Sequence, residues 1–143
     1  MTRVMATGVF DIIHLGHIHF LKESKKLGDE LFVVVARDST AAKNGKSPIF
    51  SEGTRLQLVS ELRIVDHAIL GHEGDIFQTV SDVRPDVITL GFDQKFNIDA
   101  IVKRCDEMGL NIRVERISRF ESDSIQSSSQ IRRKLLEEIE NRL

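Results

Sequence analysis

Two features of the sequence predict an α/β protein with a parallel sheet covered by helices on both faces: short β-branched runs alternate with longer amphipathic segments, and the runs end on glycine or polar turns. At 143 residues, with 41% apolar and 29% charged side chains, the chain has the size and composition of one globular domain, residues 1–143. Such a domain buries roughly two-thirds of its unfolded surface, so it needs neither a disulfide framework nor a metal staple.

The first run, Arg3 to Thr7, ends at Gly8. The helical pattern that begins near Leu15 carries Ile18, Leu21 and Leu27 on one side and leaves Lys22, Glu23, Lys25 and Lys26 to solvent. Leu31 to Ala36 is continuously apolar, as a strand buried on both faces should be. Residues 38 to 50 are polar and Lys-rich, contain Gly45 and Pro48 and show no helical period, which predicts a loop long enough to carry function. Ser51 is a weak cap for a helix bearing Leu56, Leu58, Val59 and Leu62. His67 to Leu70 is a short strand ended by Gly71, and Asp75 to Val83 is a helix stopped before Pro85. Asp86 to Leu90 is the fourth strand, and the Gly91-Phe92-Asp93-Gln94 turn after it falls at the carboxyl edge, where open α/β sheets bind ligands. A helix from about Asp99 to Met108 with Gly109 as its stop, a strand from Ile112 to Arg116 and a last helix from about Ser128 to Asn141 complete the order. The count gives a Rossmann-like, doubly wound, five-stranded parallel sheet with helices on both faces.

Twenty basic against 22 acidic residues give a net charge of −2, far from the excess that sequence-independent binding to nucleic acid requires. The single cysteine, Cys105, cannot form an intrachain disulfide, and one thiol with scattered histidines builds no zinc pattern, so it reads as inert packing in a reducing compartment. The apolar stretch Val4 to Ile13 is interrupted by Gly8 and Asp11 and is too short for a signal peptide or a membrane span. These features predict a soluble cytoplasmic protein with no nucleic-acid or membrane partner.

The sharpest local feature is Gly8-Val9-Phe10-Asp11-Ile12-Ile13-His14-Leu15-Gly16-His17, where two histidines flank a glycine at the start of the first helix. A helix N-terminus presents unpaired backbone N–H groups and partial positive charge, so it stabilises an anion. Gly16 lets that anion approach the backbone closely. His14 and His17, three apart, share one face of the first turn and can donate to the same polyphosphate. Taken alone, a pair of surface histidines is the plainer reading, and His19 reads as one.

The stretch resembles, residue for residue, the G-x-F-D-x-x-H-x-G-H signature of the cytidylyltransferase-like nucleotidyltransferases. The family's other elements follow in order: Lys43 and Lys46 after the second strand, Arg55 in the next helix, Arg63-Ile64-Val65-Asp66 before the third strand, and Ser127-Ser128-Ser129-Gln130-Ile131-Arg132, similar to the family's S-[ST]-[ST]-x-I-[RK]. The resemblance spans nearly the whole chain and implies a single nucleotidyltransferase domain that binds a nucleoside triphosphate, transfers its nucleotidyl group to a phosphate and releases pyrophosphate. It implies catalytic roles for His14, His17, Lys46 and Arg132. It implies nucleotide binding by Val9, Phe10, Asp11, His14, Gly16, His17, Arg63, Asp93, Ser127, Ser128 and Ser129. Magnesium or another divalent cation is expected with the triphosphate, and a homodimer accords with the family.

Several residues keep a second reading. Arg63 is equally suited to a surface pair with Asp66, Lys46 competes with Lys43, and the three serines suit a helix cap as well as a phosphate. For Asp11 two roles are open, orienting a histidine or approaching a metal.

Two branches of the family match the chain's length. One, the glycerol-3-phosphate cytidylyltransferases, makes CDP-glycerol from CTP, ends its fourth strand in G-D-D-W and carries R-T-x-G-I-S-T-T. The present chain has Gly91-Phe92-Asp93-Gln94, Ile125-Gln126-Ser127-Ser128-Ser129 and no tryptophan. Ala36-Arg37-Asp38 and the Leu90-Gly91-x-Asp93-Gln94 turn more closely resemble the other branch, the archaeal-type FAD synthases, which transfer AMP from ATP to FMN, giving FAD and pyrophosphate. On that resemblance Asp93 contacts the adenosine of ATP. Some members of the branch carry cysteines just before the serine cluster, and Ser122 to Gln126 contain none. Transfer to lipid or lipopolysaccharide precursors, and a catalytically silent nucleotide-binding module, are the alternatives; intact His14, His17 and Arg132 argue against the silent one.

Overall fold

The computed structural model describes residues 1–120 and 127–143. Its strands are β1 (Arg3–Gly8), β2 (Glu30–Val35), β3 (His67–Leu70), β4 (Val87–Leu90) and β5 (Arg113–Arg116). The helices are α1 (Leu15–Lys25), α2 (Asp38–Lys43), α3 (Glu52–Ser60), α4 (Ile76–Val83), α5 (Ile98–Glu107) and α6 (Ser128–Arg142). The sheet is parallel throughout, in the order β3-β2-β1-β4-β5.

Alternation along the strands builds two apolar layers. Val4 and Ala6 of β1 with Leu31, Val33 and Val35 of β2 pack on Leu21 of α1 and Val59 of α3. On the other face Met5, Val34, Ile88 and Leu90 meet Val80 and Val83 of α4 and Ile101 and Cys105 of α5. Cys105 is fully buried there, and burial pushes its thiol pKa up, as suits inert packing. Between α1 and β4, the buried Ser24 and Thr89 hydroxyls satisfy each other at 2.8 Å.

The expectation of one loop over residues 38 to 50 is corrected. Asp38–Lys43 forms α2. Six residues are fewer than two turns, too few to display a helical period, and only Ala41 of α2 is buried. Gly109, with φ +76°, stops α5 through its left-handed conformation. Among the described residues no helix is long and apolar enough to cross a membrane.

Candidate active site

From β1 the sheet continues to β2 on one side and to β4 on the other, and this reversal opens a crevice beyond the carboxyl ends of β1 and β4. A cleft of about 450 Å³ occupies it, within the range of small-molecule sites. Two helices, α1 and α6, start at its wall, and neither has an acidic residue in its first turn to offset its positive end.

His14 is the N-cap of α1. Its Nδ1 accepts the Gly16 N–H at 3.0 Å, and the Nδ1 of His17 accepts the His14 N–H at 3.3 Å, a reciprocal capping box made from two imidazoles. The rings stack at 3.9 Å, and Phe10 covers His17 at 5.5 Å. With both Nδ1 atoms accepting, the proton of each neutral ring is on Nε2, which becomes the donor for a ligand. Burial, followed by the neighbouring His14 and Lys46, pulls the His17 pKa down to about 3 against the opposing effect of Asp11. Burial lowers that of His14 as well.

The neutral state carries a stability consequence. Unfolded, His17 titrates near 6.5, so between that value and about 3 the unfolded chain holds a proton that the folded chain lacks. The contribution is therefore fully present above pH 6.5 and is lost as the pH falls towards about 3. Urea unfolding at pH 7 and pH 4.5 should show this loss, and His17→Asn should diminish it; an equal loss in the variant would assign the effect to other groups.

Asp11 ties three segments together. It is 5% exposed, its carboxylate accepts the Ile49 and Phe50 N–H groups at 2.7 and 3.0 Å and an Arg132 N–H at 2.8 Å, and its carbonyl accepts from the Ser128 hydroxyl at 2.5 Å. Both expected roles for Asp11 are thus replaced: its oxygens neither orient a histidine nor stand free for a metal. Phe10 and Ile12, on either side, have φ of 55° and 52°. For the β-branched Ile12 this is a strained conformation, kept by the surrounding contacts. Arg132 also donates to the Ser47 carbonyl at 2.9 Å and keeps 42% of its side chain exposed at the cleft.

Arg55 is fully buried beneath the same loops. Its guanidinium donates to the carbonyls of Phe50, Val9 and Ala36 at 3.0, 2.8 and 2.7 Å and to Asp38 at 2.7 Å. The ends of β1 and β2 and the turn before α3 are thereby joined by one side chain.

The cleft brings together Val9, Phe10, Asp11, His14, Gly16, His17, Lys46, Asp93, Ser127, Ser128, Ser129 and Arg132. Lys46, not Lys43, is the loop lysine on its wall. Ser127 caps α6 by accepting the Gln130 N–H at 3.3 Å, so capping and a place at the cleft coincide. Arg63 is outside. It is exposed in the turn before β3, hence at the amino edge of the sheet, and Asp66 pairs with Lys25 and the Leu31 N–H instead. His19 is corrected in the opposite direction: its Nε2 bonds the Ser118 carbonyl at 3.1 Å, its ring meets Phe120 at 5.2 Å, and it forms part of the wall. Arg116 was not singled out by pattern and Gln94 only as part of the turn after β4, yet the two fix the Asp93 turn. Arg116 donates to the carbonyls of Gly91, Gln94 and Phe96, and Gln94 spans the Gly91 N–H and the Thr7 carbonyl. The stretch from Ser122 to Gln126 lies outside the described residues. Among the described residues no three His, Cys, Asp or Glu side chains converge as a metal site.

A parallel sheet with its cleft at the strand-order reversal, and two helix N-termini facing it, defines a doubly wound α/β protein whose cleft is suited to an anionic ligand. The chain belongs to the cytidylyltransferase-like family, whose model matches residues 5–134. It is 63% identical over 142 residues, 99% of both chains, to a protein of Thermoplasma acidophilum named FAD synthase. It is 59% identical over 135 residues, 94% of this chain and 96% of the relative, to one of the same name from Picrophilus torridus. A solved structure from Thermoplasma volcanium, described as a lipopolysaccharide core biosynthesis protein, superimposes with TM-score 0.83 at 64% identity, covering 85% of this chain and 99% of that one. An Archaeoglobus fulgidus protein of unknown function, 16% identical, shares the fold at TM-score 0.70 over 87% of this chain and 96% of its own.

Proposed function

We infer that the protein transfers AMP from ATP to FMN, forming FAD and releasing pyrophosphate. The observation that carries the reaction class is the pair of neutral imidazoles locked as Nε2 donors at the start of α1, beside a second helix N-terminus. The acceptor follows from likeness to relatives named FAD synthase over nearly the whole chain. An oxygen of the FMN phosphate attacks the α-phosphorus, the new P–O bond forms in line with the one that breaks, and the electron pair leaves on pyrophosphate. A phosphate monoester, with a second pKa near 6, is already largely ionised at neutral pH, so the site needs no general base.

The side chains then supply position and charge. His14 and His17 donate to the phosphates, Lys46 closes from the loop after α2, and Arg132 with Ser127, Ser128 and Ser129 holds the departing β and γ groups. Magnesium enters as the counter-ion of ATP, a substrate ion rather than a resident one, since both Asp11 carboxylate oxygens are already engaged. The lone thiol suits the reducing cytoplasm.

Pure protein with magnesium, ATP and FMN should give FAD and pyrophosphate by chromatography, while CTP with glycerol 3-phosphate should give nothing. CDP-glycerol would transfer the same residues to the cytidylyl reading; pyrophosphate only with a lipopolysaccharide precursor would favour transfer to that class of acceptor. Asp93→Ala should weaken ATP binding by about tenfold, as expected for loss of one hydrogen bond to a charged group. Unchanged ATP affinity by calorimetry would remove Asp93 from the site.

A further inference from the structure

The segment that carries Asp93 has little structure of its own. Residues 91–97 join β4 to α5 without helix or strand, and the bonds within them run from the Gln94 N–H to the Gly91 carbonyl at 3.2 Å and from the Gly91 N–H to the Gln94 side-chain oxygen at 2.7 Å. Support from outside comes from the Gln94 amide, which reaches the Thr7 carbonyl at 3.2 Å, and above all from Arg116. Arg116 ends β5 opposite Leu90 in the ladder, and the Ile117 N–H bonds the Leu90 carbonyl at 2.8 Å just beyond it, so the sheet fixes its backbone. Its guanidinium then donates to the carbonyls of Gly91, Gln94 and Phe96 at 3.1, 2.6 and 2.9 Å. One planar fork thus holds both ends and the middle of residues 91–96.

Arg116 is not on the cleft wall, whereas Gly91, Phe92, Asp93 and Gln94 are. The backbone is packed closely around the carboxylate: a Cβ at Gly91 would come within 3.3 Å of Asp93 Oδ1. A shift of the segment therefore moves the carboxylate with it. We propose that Arg116 is a positioning residue for the nucleotide: from behind the cleft it holds residues 91–96 in the arrangement that aims the Asp93 carboxylate at the nucleoside of ATP, and it sets ATP affinity without touching ATP. This role rests on Asp93 being a nucleotide contact. A segment ordered in advance is not ordered at the expense of binding free energy. The nucleoside lies away from the reacting phosphorus and is held alike before and during transfer, so losing this support raises KM and spares kcat.

Calorimetry of ATP binding and steady-state FAD formation, both on the full chain, test the proposal. Arg116→Met should weaken ATP binding and raise KM for ATP by about tenfold, with kcat and KM for FMN within about twofold of the wild type. Arg116→Lys keeps the charge but not the fork and should recover only part of the affinity. In an Asp93→Ala background Arg116→Met should cost no further affinity, since a positioning residue acts only through the group it positions. Gly91→Ala crowds the same carboxylate while leaving Arg116 intact, so it should also weaken ATP binding, and it keeps the proposal testable if Arg116→Met fails to fold. Unchanged ATP affinity in Arg116→Met, the same loss with and without Asp93, or a fall in kcat alone would overturn the proposal. A protein that shows these changes in ATP binding but forms no FAD would overturn the assigned reaction and leave the role of Arg116 standing.

Discussion

Replacing His14 or His17 by alanine should lower turnover with saturating ATP and FMN by a factor on the order of a hundred or more, the effect of removing a donor aimed at transition-state charge. The two rings are interdependent: each Nδ1 is committed to a backbone N–H of the same helix start, which directs each Nε2–H outward. Their depressed pKa values keep them neutral at working pH, so they act as fixed dipoles rather than as acids that titrate. His14 has a second task as the N-cap, and its alanine variant should also lose about 1 kcal/mol of stability. Asparagine separates the two. His14→Asn retains a capping oxygen but places no donor where Nε2 was, so it should melt close to the wild type while remaining as slow as the alanine variant. Pyrophosphate release and thermal melting read the two effects independently. Near-wild-type turnover in any of these variants would remove that histidine from the chemistry.

Arg55→Met should be the most destabilising single change in the protein, by about 3 to 5 kcal/mol, through loss of a buried hydrogen-bond network. Methionine fills much of the volume but strands the carbonyls of Val9, Ala36 and Phe50, each of which accepts from the guanidinium. Uncompensated buried acceptors cost about 1 to 3 kcal/mol each. Arg55→Lys should recover only part of the loss, since one ammonium cannot reproduce a fork that reaches four acceptors. The midpoint of urea unfolding is the measurement, and a shift worth less than about 1 kcal/mol would show that water replaces the guanidinium without penalty.

What the sequence made legible was local. The continuous Leu31–Val35 run and the alternation of strands with amphipathic segments are nearest-neighbour patterns, and each of the five predicted strands is present within a residue or two. The histidine pair was legible because both members sit in one helical turn. Asp11 and Arg55 were named by the family resemblance, but the contacts they make were not legible, because their partners lie 38 to 121 and 5 to 46 residues away and nothing in the local pattern names them. Arg63 failed for a different reason: in a parallel sheet the turn before a strand lies at the amino edge, opposite the cleft, so the family resemblance pointed to a residue that the predicted strand order already placed elsewhere. His19 looked like surface because the residues that enclose it, Ser118 and Phe120, arrive a hundred positions later. Those gaps are where an isolated motif says least, and where the strand order says most.

The knot of contacts at Asp11 also sets a sequence of events in time. It joins the loop after β1 to residues 38 and 39 positions on and to the start of α6, 117 and 121 positions on. Closing a loop of that length costs entropy before the contacts reward it, so the α6 contacts are expected to form late in folding. A refolding chain should then regain its sheet, read by circular dichroism, before it regains the ability to hold a nucleotide.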